Sequence, residues 1–550
     1  MCNIKYIIII KLKYKIKLIL FNLVKKMSYF TMSSFNITAP LNESNFKTKI
    51  EVASLEFHTE SMPVSIFAES ETTFGIFTVK PFKCPPSTTP MVIQGTIDIS
   101  SSMEEIGSGS YRKIDFIKQT LEKLLPYLLD NFNSEIWLHI GLFNSQYMTL
   151  IPMQMLIREN LDFIIEKIQS ICCNGSTNIE SAFIESKKIM ELSIEQRPDH
   201  KHLHIFLTDG NATNGMHDIK ELAKLISNEY PTLFIGYGID HNALLLKNCA
   251  NNLLHSYQFV DNYEMTGQVY AEMLYSLMYT VTENPVIEIE AGQIYDSLNN
   301  IWTNRLTIPL WVAEKEYMYH ISSLNPNDTV IRIHKEGEVI FTTTELPLLF
   351  DVEANQLERR NFDKYIFKQK TMELLSLALH IQLHTEVIDP SEQLKSIQNE
   401  LSDLFILLRT YMREKELLED PFMKILCEDL SISYKTIKSQ IQTQNYDTNY
   451  ATMNILSRRN AQATQALYRS GSSRQPTENR NVSNSGIRRS ISSYCDDTFD
   501  QETQVDSWTE QDCEEELDNA DDINTYEEEF VTQNIYSPSG MHTMARNISN

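Results

Sequence analysis

Apolar and polar positions change period along this chain, and the period marks the elements. Met91-Val92-Ile93-Gln94-Gly95-Thr96-Ile97, Ile136-Trp137-Leu138-His139-Ile140, Leu203-His204-Ile205-Phe206-Leu207 and Leu233-Phe234-Ile235-Gly236-Tyr237-Gly238-Ile239 are short, nearly continuous apolar runs. Such runs read as strands covered on both faces. Between them apolar residues recur every three or four positions. Ile114, Ile117, Leu121, Leu124, Leu125 and Leu128 form one stripe, and Leu161, Ile164, Ile165 and Ile168 form another. These predict amphipathic helices. Met148-Thr149-Leu150-Ile151 predicts a hairpin-like strand and Tyr257-Gln258-Phe259-Val260 a last one. Leu274, Leu277, Met278 and Val281 predict a closing helix. Strands alternating with helices over 91–283 predict an α/β domain with a doubly wound, mostly parallel, Rossmann-like sheet.

The flanks have a different texture. Over 47–90, Ile50-Glu51-Val52-Ala53, Val64-Ser65-Ile66-Phe67 and Gly75-Ile76-Phe77-Thr78-Val79 predict a small β element ahead of the main domain, broken by Pro85-Pro86. Over 285–445 the pattern is β and then α. Val286-Ile287-Glu288-Ile289, Arg305-Leu306-Thr307-Ile308-Pro309-Leu310-Trp311 and Val330-Ile331-Arg332-Ile333 read as strands, and 356–442 reads as helical. Leu394, Ile397, Leu401, Leu404 and Leu408 share one helical face there. From 446 to 550 the chain turns Ser/Asn/Gln/Arg-rich and then acidic, at Cys513-Glu514-Glu515-Glu516 and Glu527-Glu528-Glu529. That composition predicts a disordered acidic tail, with Arg458-Arg459 and Arg488-Arg489 ahead of its acidic part.

Residues 1–46 read as an N-terminal extension. Lys11, Lys13, Lys15 and Lys17 interrupt its apolar runs, so no stretch there suits stable membrane insertion. Initiation at Met27 or Met32 is the preferred reading over a basic surface anchor.

Charge narrows the partner. A net charge of −25 argues against nucleic acid. Eight cysteines, with no Cys-x-x-Cys pair and no zinc spacing, read as free thiols in a reducing compartment. Glycosylation sequons begin at Asn174 and Asn211, beside the loops described next, and glycans there would obstruct them. Both points favour the cytoplasm. Abundant Ile, Asn, Lys and Tyr suggest an AT-rich genome, as in a giant virus or some protists, which would place the protein in a host cytoplasm or virion. The pattern carries no information on oligomeric state.

The candidate chemistry sits where the buried strands end. Asp98-Ile99-Ser100-Ser101-Ser102 closes the first of them, Gly175-Ser176-Thr177-Asn178 lies in a loop, and Leu207-Thr208-Asp209-Gly210 follows another strand. Hard cations such as Mg²⁺ take oxygen ligands in an octahedron and keep some water. Three hydroxyls and two carboxylates from three loops suit that demand. Open α/β sheets bind ligands outside the carboxyl ends of their strands, which is where Asp98 and Asp209 fall.

In this order and at these separations, the motifs resemble the metal-ion-dependent adhesion site of von Willebrand factor A domains. The resemblance assigns Asp98, Ser100, Ser102, Thr177 and Asp209 to the five coordinating positions, with no departure from the pattern. It implies a Mg²⁺ (or Mn²⁺) ion whose shell an acidic side chain of a partner protein completes. Hydroxyls supply most direct ligands, so the cation stays under-compensated and attracts an external carboxylate. The acidic tail, through Glu514, Glu515 and Glu516, is an internal candidate for that place. Diffusely, residues 285–470 resemble the module that follows such a domain in some viral, plant and bacterial proteins, giant-virus-type proteins among them.

The alternative chemistry is a Mg²⁺-dependent hydrolase or phosphatase on a Rossmann-like fold, with Asp98 as nucleophile. Such enzymes usually carry a second carboxylate two residues on, and Ser100 stands there. Neither His-Glu-x-x-His nor Gly-x-Ser-x-Gly occurs in the sequence, and His202, His204 and His241 read as side chains packed, or exposed, without a role. The expectation is therefore a non-enzymatic interaction module with no catalytic residues.

Overall fold

The computed structural model describes residues 50–57, 72–108, 111–238, 241–252, 254–260, 266–345, 349–350, 361–383, 390–443, 448–464 and 538–549. The chain begins with β1 (Ile50–Phe57) and β2 (Thr73–Pro81), an antiparallel pair. It enters the α/β domain through β3 (Met91–Asp98). A 3-10 turn, Ser101–Glu104, and a hairpin of β4 (Ile106–Ser108) and β5 (Tyr111–Arg112) lead into α1 (Lys113–Asn131). Then come β6 (Ile136–Phe143), β7 (Tyr147–Met155), α2 (Arg158–Gln169), α3 (Ile179–Gln196) and β8 (Lys201–Thr208). The domain closes with α4 (Ile219–Ala223), β9 (Thr232–Tyr237), α5 (Ala243–Cys249), β10 (Ser256–Val260) and α6 (Thr266–Met278).

The sheet order is β10-β9-β8-β3-β6-β7, and only β7 runs antiparallel to its neighbour. The doubly wound, mostly parallel reading therefore holds, hairpin included. All six apolar residues of the first helical stripe are buried on α1. Val281 departs from expectation, since it lies in β11 (Thr280–Glu283) and not in the closing helix. From central β3 the chain crosses to β6 on one side and reaches β8 on the other. The loops after β3 and β8 consequently part at the middle of the sheet, which is the switch point where such folds bind ligands.

The second half of the chain begins with β12 (Val286–Glu290), β13 (Gln293–Asp296), β14 (Ile301–Thr303), β15 (Arg305–Thr307) and β16 (Leu310–Val312). The run Arg305–Trp311 is thus two strands, because Pro309 between them has no N–H to give a ladder. β17 (Tyr317–Ser323), β18 (Val330–Lys335), β19 (Glu338–Thr342) and β20 (Leu349–Phe350) follow. The early β element does not stand alone: one six-stranded sheet runs β14-β13-β17-β2-β1-β20. Ile76, Phe77 and Val79 of β2 are fully buried, and β2 has partners on both edges, β1 on one and β17 on the other. The α/β domain is inserted in sequence between strands of this sheet. A separate four-stranded sheet runs β15-β12-β18-β19.

Helices α7 (Phe362–Leu383), α8 (Pro390–Glu414), α9 (Pro421–Thr443) and α10 (Thr448–Thr464) pack together. The five apolar residues expected on one face of α8 are all buried. A continuous core joins the bundle, through Leu375, Leu401, Leu408 and Leu430, to Phe143, Phe183, Phe206 and Phe234 of the α/β domain.

Two stretches correct the expectation of a disordered tail from 446. In α10, Arg458 pairs with Asp429 at 3.2 Å with both side chains buried, and Gln462 donates to the other Asp429 oxygen at 2.7 Å. Arg459 donates to Ser376 Oγ at 2.8 Å and to the carbonyls of Ser297 and Leu298. These arginines are interior residues that tie α10 to its neighbours. Further on, α11 (Ser539–Ser549) packs on α6 and α1, burying Met541, Met544, Ala545 and Ile548. The residues between the two helices, including Arg488-Arg489 and both acidic clusters, lie outside the described residues, as do the N-terminal extension and Val64–Phe67. Among the described residues no helix is long and apolar enough to cross a membrane.

Candidate metal centre

Asp98 is the last residue of β3, fully buried. Its Oδ1 accepts the Ser100 backbone N–H at 2.8 Å, and its Oδ2 accepts the Thr208 hydroxyl at 2.7 Å. The loop then turns into the 3-10 segment, which sets Ser100 Oγ 3.1 Å from Ser102 Oγ. Ser102 Oγ donates to Asp209 Oδ1 at 2.8 Å. Asp209, one residue past β8, is also fully buried. Thr177 comes from the loop before α3 and is nearly buried. A Cβ placed on Gly210 would lie 3.7 Å from Ser102 Oγ and 3.8 Å from Thr177 Oγ1. All five residues picked out from the sequence therefore lie on neighbouring loops, with the Ser102 and Thr177 hydroxyls both bordering Gly210.

Electrostatics make the cluster short of positive charge. Burial first, and the neighbouring Asp209 second, push the Asp98 carboxyl up to about 7, against the lowering effect of the bonds from Thr208 and Ser100. Burial also raises Asp209, although Lys113 opposes it by charge and hydrogen bond. Lys113 Nζ stands 2.8 Å from Asp209 Oδ2 and 2.8 Å from Glu105 Oε2. The donor set is all oxygen, with hydroxyls in the majority and two carboxylates held apart from water. Among the described residues no group of three or more His, Cys, Asp and Glu side chains is gathered to hold a metal. In its chemistry, an all-oxygen set of hydroxyls and carboxylates would suit a hard, oxygen-seeking divalent ion.

Two residues of this cluster escape a reading of the sequence. Thr208 carries a signal, a hydroxyl just before the aspartate in Thr-Asp-Gly, but a strand-end threonine is easily taken for packing. Lys113 carries none, since only the β4–β5 hairpin brings it to Asp209. Of the three histidines singled out in the sequence, His204 and His241 are buried and His202 is half-buried. His204 Nε2 lies 2.9 Å from Thr96 Oγ1. His241 is buried between the Gly238 carbonyl and the Tyr257 hydroxyl. A Cβ on Gly236 would come within 2.3 Å of that ring, so only glycine fits there. At the sequon Asn174, the side-chain oxygen already accepts from Asn144 Nδ2 at 2.8 Å.

Residues 96–271 match the family model of the von Willebrand factor type A domain. A curated relative, inter-alpha-trypsin inhibitor heavy chain H1 of Bos taurus, is 23% identical over 262 residues, 45% of this chain and 27% of its own length. The match thus spans about a quarter of that protein. Among solved structures, a von Willebrand factor type A protein from Catenulispora acidiphila is similar with a TM-score of 0.44 at 12% identity, over 70% of this chain and 91% of that one. The ArnB paralog VWA2 from Sulfolobus acidocaldarius gives a TM-score of 0.39 at 14% identity, over 74% of this chain and 97% of that one.

Proposed function

We propose that the α/β domain, residues 96–271 of which match the von Willebrand factor type A model, is a protein–protein interaction module that binds its partner through a divalent cation, Mg²⁺ or Mn²⁺. Asp98, Ser100, Ser102, Thr177 and Asp209 would hold the ion, and a carboxylate of the partner would complete its shell. The observation that supports this most is the hydrogen-bonded set across the switch point of the sheet: the Ser100 N–H donates to Asp98, and the Ser100 hydroxyl meets that of Ser102, which donates to Asp209. Bound there, the cation supplies an electrophilic centre for an anionic ligand. The chain's own residues do the rest. Ser100 and Ser102 present neutral oxygens, and Thr208 and the Ser100 N–H hold Asp98 in place. Hydrolysis at Asp98 would need a proton-transfer group two residues on. Ser100 occupies that position, with its hydroxyl turned to Ser102. The location proposed with this role is the cytoplasm, from the scattered cysteines.

Calorimetry with MgCl₂ on the full chain tests the reading. One site is expected, lost in Asp98→Ala and in Asp209→Ala while thermal melting shows both variants folded. Partner capture from lysate should fail in chelator. Unchanged Mg²⁺ affinity in both variants would refute the assignment.

A further inference from the structure

Lys113 is the least expected residue of the cluster. It opens α1, its side chain is only 6% exposed, and its backbone N–H is fixed on the Glu105 carbonyl at 3.0 Å. The ammonium lies between an inner carboxylate, fully buried Asp209, and an outer one, Glu105, whose side chain is 59% exposed. The two oxygens of Asp209 thus have different partners: Oδ1 takes the Ser102 hydroxyl and Oδ2 takes Lys113. Buried lysines are rare unless paired, and this one is paired with a residue of the proposed centre itself.

Its charge changes what that centre can hold. Among the buried groups, with both aspartates ionised, Asp98, Asp209 and Lys113 together carry one negative charge; Glu105, on the outer side of Lys113, is 59% exposed and its charge is screened by solvent. A divalent cation brings the set to one positive charge; without Lys113 the loaded set would be neutral. Resting on the metal reading above, we propose that Lys113 is the specificity-determining residue of the centre. It repels the cation and so weakens cation binding. In return it leaves the loaded site positively charged, and that charge selects an anionic, carboxylate-bearing ligand. It acts on the ion through Asp209 and through space, and it contributes no ligand atom.

The test compares the full wild-type chain with Lys113→Met, Lys113→Gln and Lys113→Arg. Lys113→Gln keeps a donor for Asp209 and guards against loss of fold in Lys113→Met; thermal melting checks each variant. Mg²⁺ alone is titrated by calorimetry at fixed ionic strength. Like charges a few ångströms apart repel appreciably at a partly buried site, so both neutral variants are expected to bind Mg²⁺ about tenfold tighter or more. Lys113→Arg should stay close to wild type. A merely structural lysine would give the opposite sign, since its loss could only loosen the site. The second readout uses acetate as the carboxylate probe, replacing chloride at constant ionic strength in saturating Mg²⁺. Acetate should raise the melting temperature of wild type and of Lys113→Arg, and much less that of the neutral variants. Equal or weaker Mg²⁺ binding in the neutral variants, or an equal acetate response in all four proteins, would overturn the proposal while leaving the metal site standing. Wild type that binds no Mg²⁺ would overturn the metal reading, and this proposal with it.

Discussion

Replacing Thr208 by Val removes one hydroxyl and almost no volume. That hydroxyl donates to Asp98 Oδ2 at 2.7 Å and lies 3.3 Å from the Gly210 N–H as its acceptor. Both Thr208 and Asp98 are fully buried, so water cannot take its place. A hydrogen bond to a charged group contributes about 1.5–3 kcal/mol, and a neutral one about 1 kcal/mol. The loss should therefore depend on whether Asp98 is ionised. Its folded pKa stands at about 7, above the ordinary 3.8. The folded state then binds more protons than the unfolded chain between those values, and metal-free stability falls as pH rises through that window. Over the whole window the burial of this one carboxylate costs on the order of 4 kcal/mol, at about 1.4 kcal/mol per unit. Thr208 is one of the groups that hold the cost down, and without it the pKa rises further.

Denaturant titration of wild type and Thr208→Val in chelator, at pH 5 and pH 8, reads this directly. At pH 5 both folded proteins carry neutral Asp98, and the variant should lose only about 1 kcal/mol. At pH 8 the wild-type carboxylate is ionised, and the difference should widen to about 2–3 kcal/mol. Because the comparison is between two proteins at one pH, other titrating groups cancel. Mg²⁺ affinity should also fall, by about 10–100-fold, as for other groups that orient a metal's ligands. A destabilisation of equal size at both pH values would show that Thr208 matters only for packing and that Asp98 is not held ionised by it.

Two further outcomes follow from the interior. Burial lowers the pKa of His139 and His241 to about 4 and of His204 and His320 to about 3. The unfolded chain binds the extra protons, so stability is lost as pH falls below 6.5, by about 1.3 kcal/mol per histidine between pH 7.5 and 5.5. The four together outweigh the roughly 2 kcal/mol that Asp98 returns over the same range; denaturation curves showing greater stability at pH 5.5 would contradict their neutral burial. In the C-terminal helix α11, Met544→Asp places a charge on the face that docks on α6 and α1, at a cost of about 2–5 kcal/mol. A helix of 11 residues does not hold alone in water, so amide exchange at 541–548 should speed up while α6 stays protected; unchanged protection would mean that this face is not what holds the helix.

The legible part of the molecule is the part whose physics is local. The strands β3, β8 and β9 show as apolar runs because both faces of each are covered, and α1 and α8 show as stripes because one face of each is. Asp98, Ser100 and Ser102 are visible as a set because a carboxylate and two hydroxyls fall within five residues at one strand end. Thr177 and Asp209 needed only the order of the loops. What stayed hidden depends on contacts between distant segments. The strand β2 reads as half of a small hairpin, because β17 lies more than 200 residues away in sequence. Arg458 and Arg459 look solvated when averaged with the Ser- and Glu-rich residues around them, and only Asp429 and the Ser297–Leu298 carbonyls make them interior. In α11 the spacing of Met541, Met544, Ala545 and Ile548 is a plain helical stripe, lost beneath the acidic composition before it. This also moves any cut meant to remove the acidic segment. A truncation at 446 would strip both α10 and α11 out of the core, so the acidic segment is removed instead by an internal deletion between Thr464 and Pro538.

The three site loops are also bonded to each other, and this bears on how the centre would work. The Ser101 N–H and hydroxyl both donate to the Gly175 carbonyl at 3.1 Å, and the Asn174 N–H donates to the Ile99 carbonyl at 2.8 Å. Asn144, just past β6, donates to the Asn174 carbonyl at 3.0 Å, while its own carbonyl accepts from Asn178 at 2.7 Å. Thr177 is held from the far side: its N–H donates to Thr213 Oγ1 at 2.8 Å and its carbonyl accepts from the Thr213 N–H at 2.9 Å. The loop after β3 is thus tied to the loop before α3, and that loop to the one after β8. The backbone that carries the set cannot swing away without breaking bonds to a second loop. A site built this way has its ordering entropy settled during folding and not at binding. On the reading proposed above, the barrier to loading would then be electrostatic and not conformational. It would lie in the buried pair of Asp98 and Asp209, in the hydroxyl contacts that link the set, and in the ammonium of Lys113, with the backbone around the five residues left where the sheet has put it.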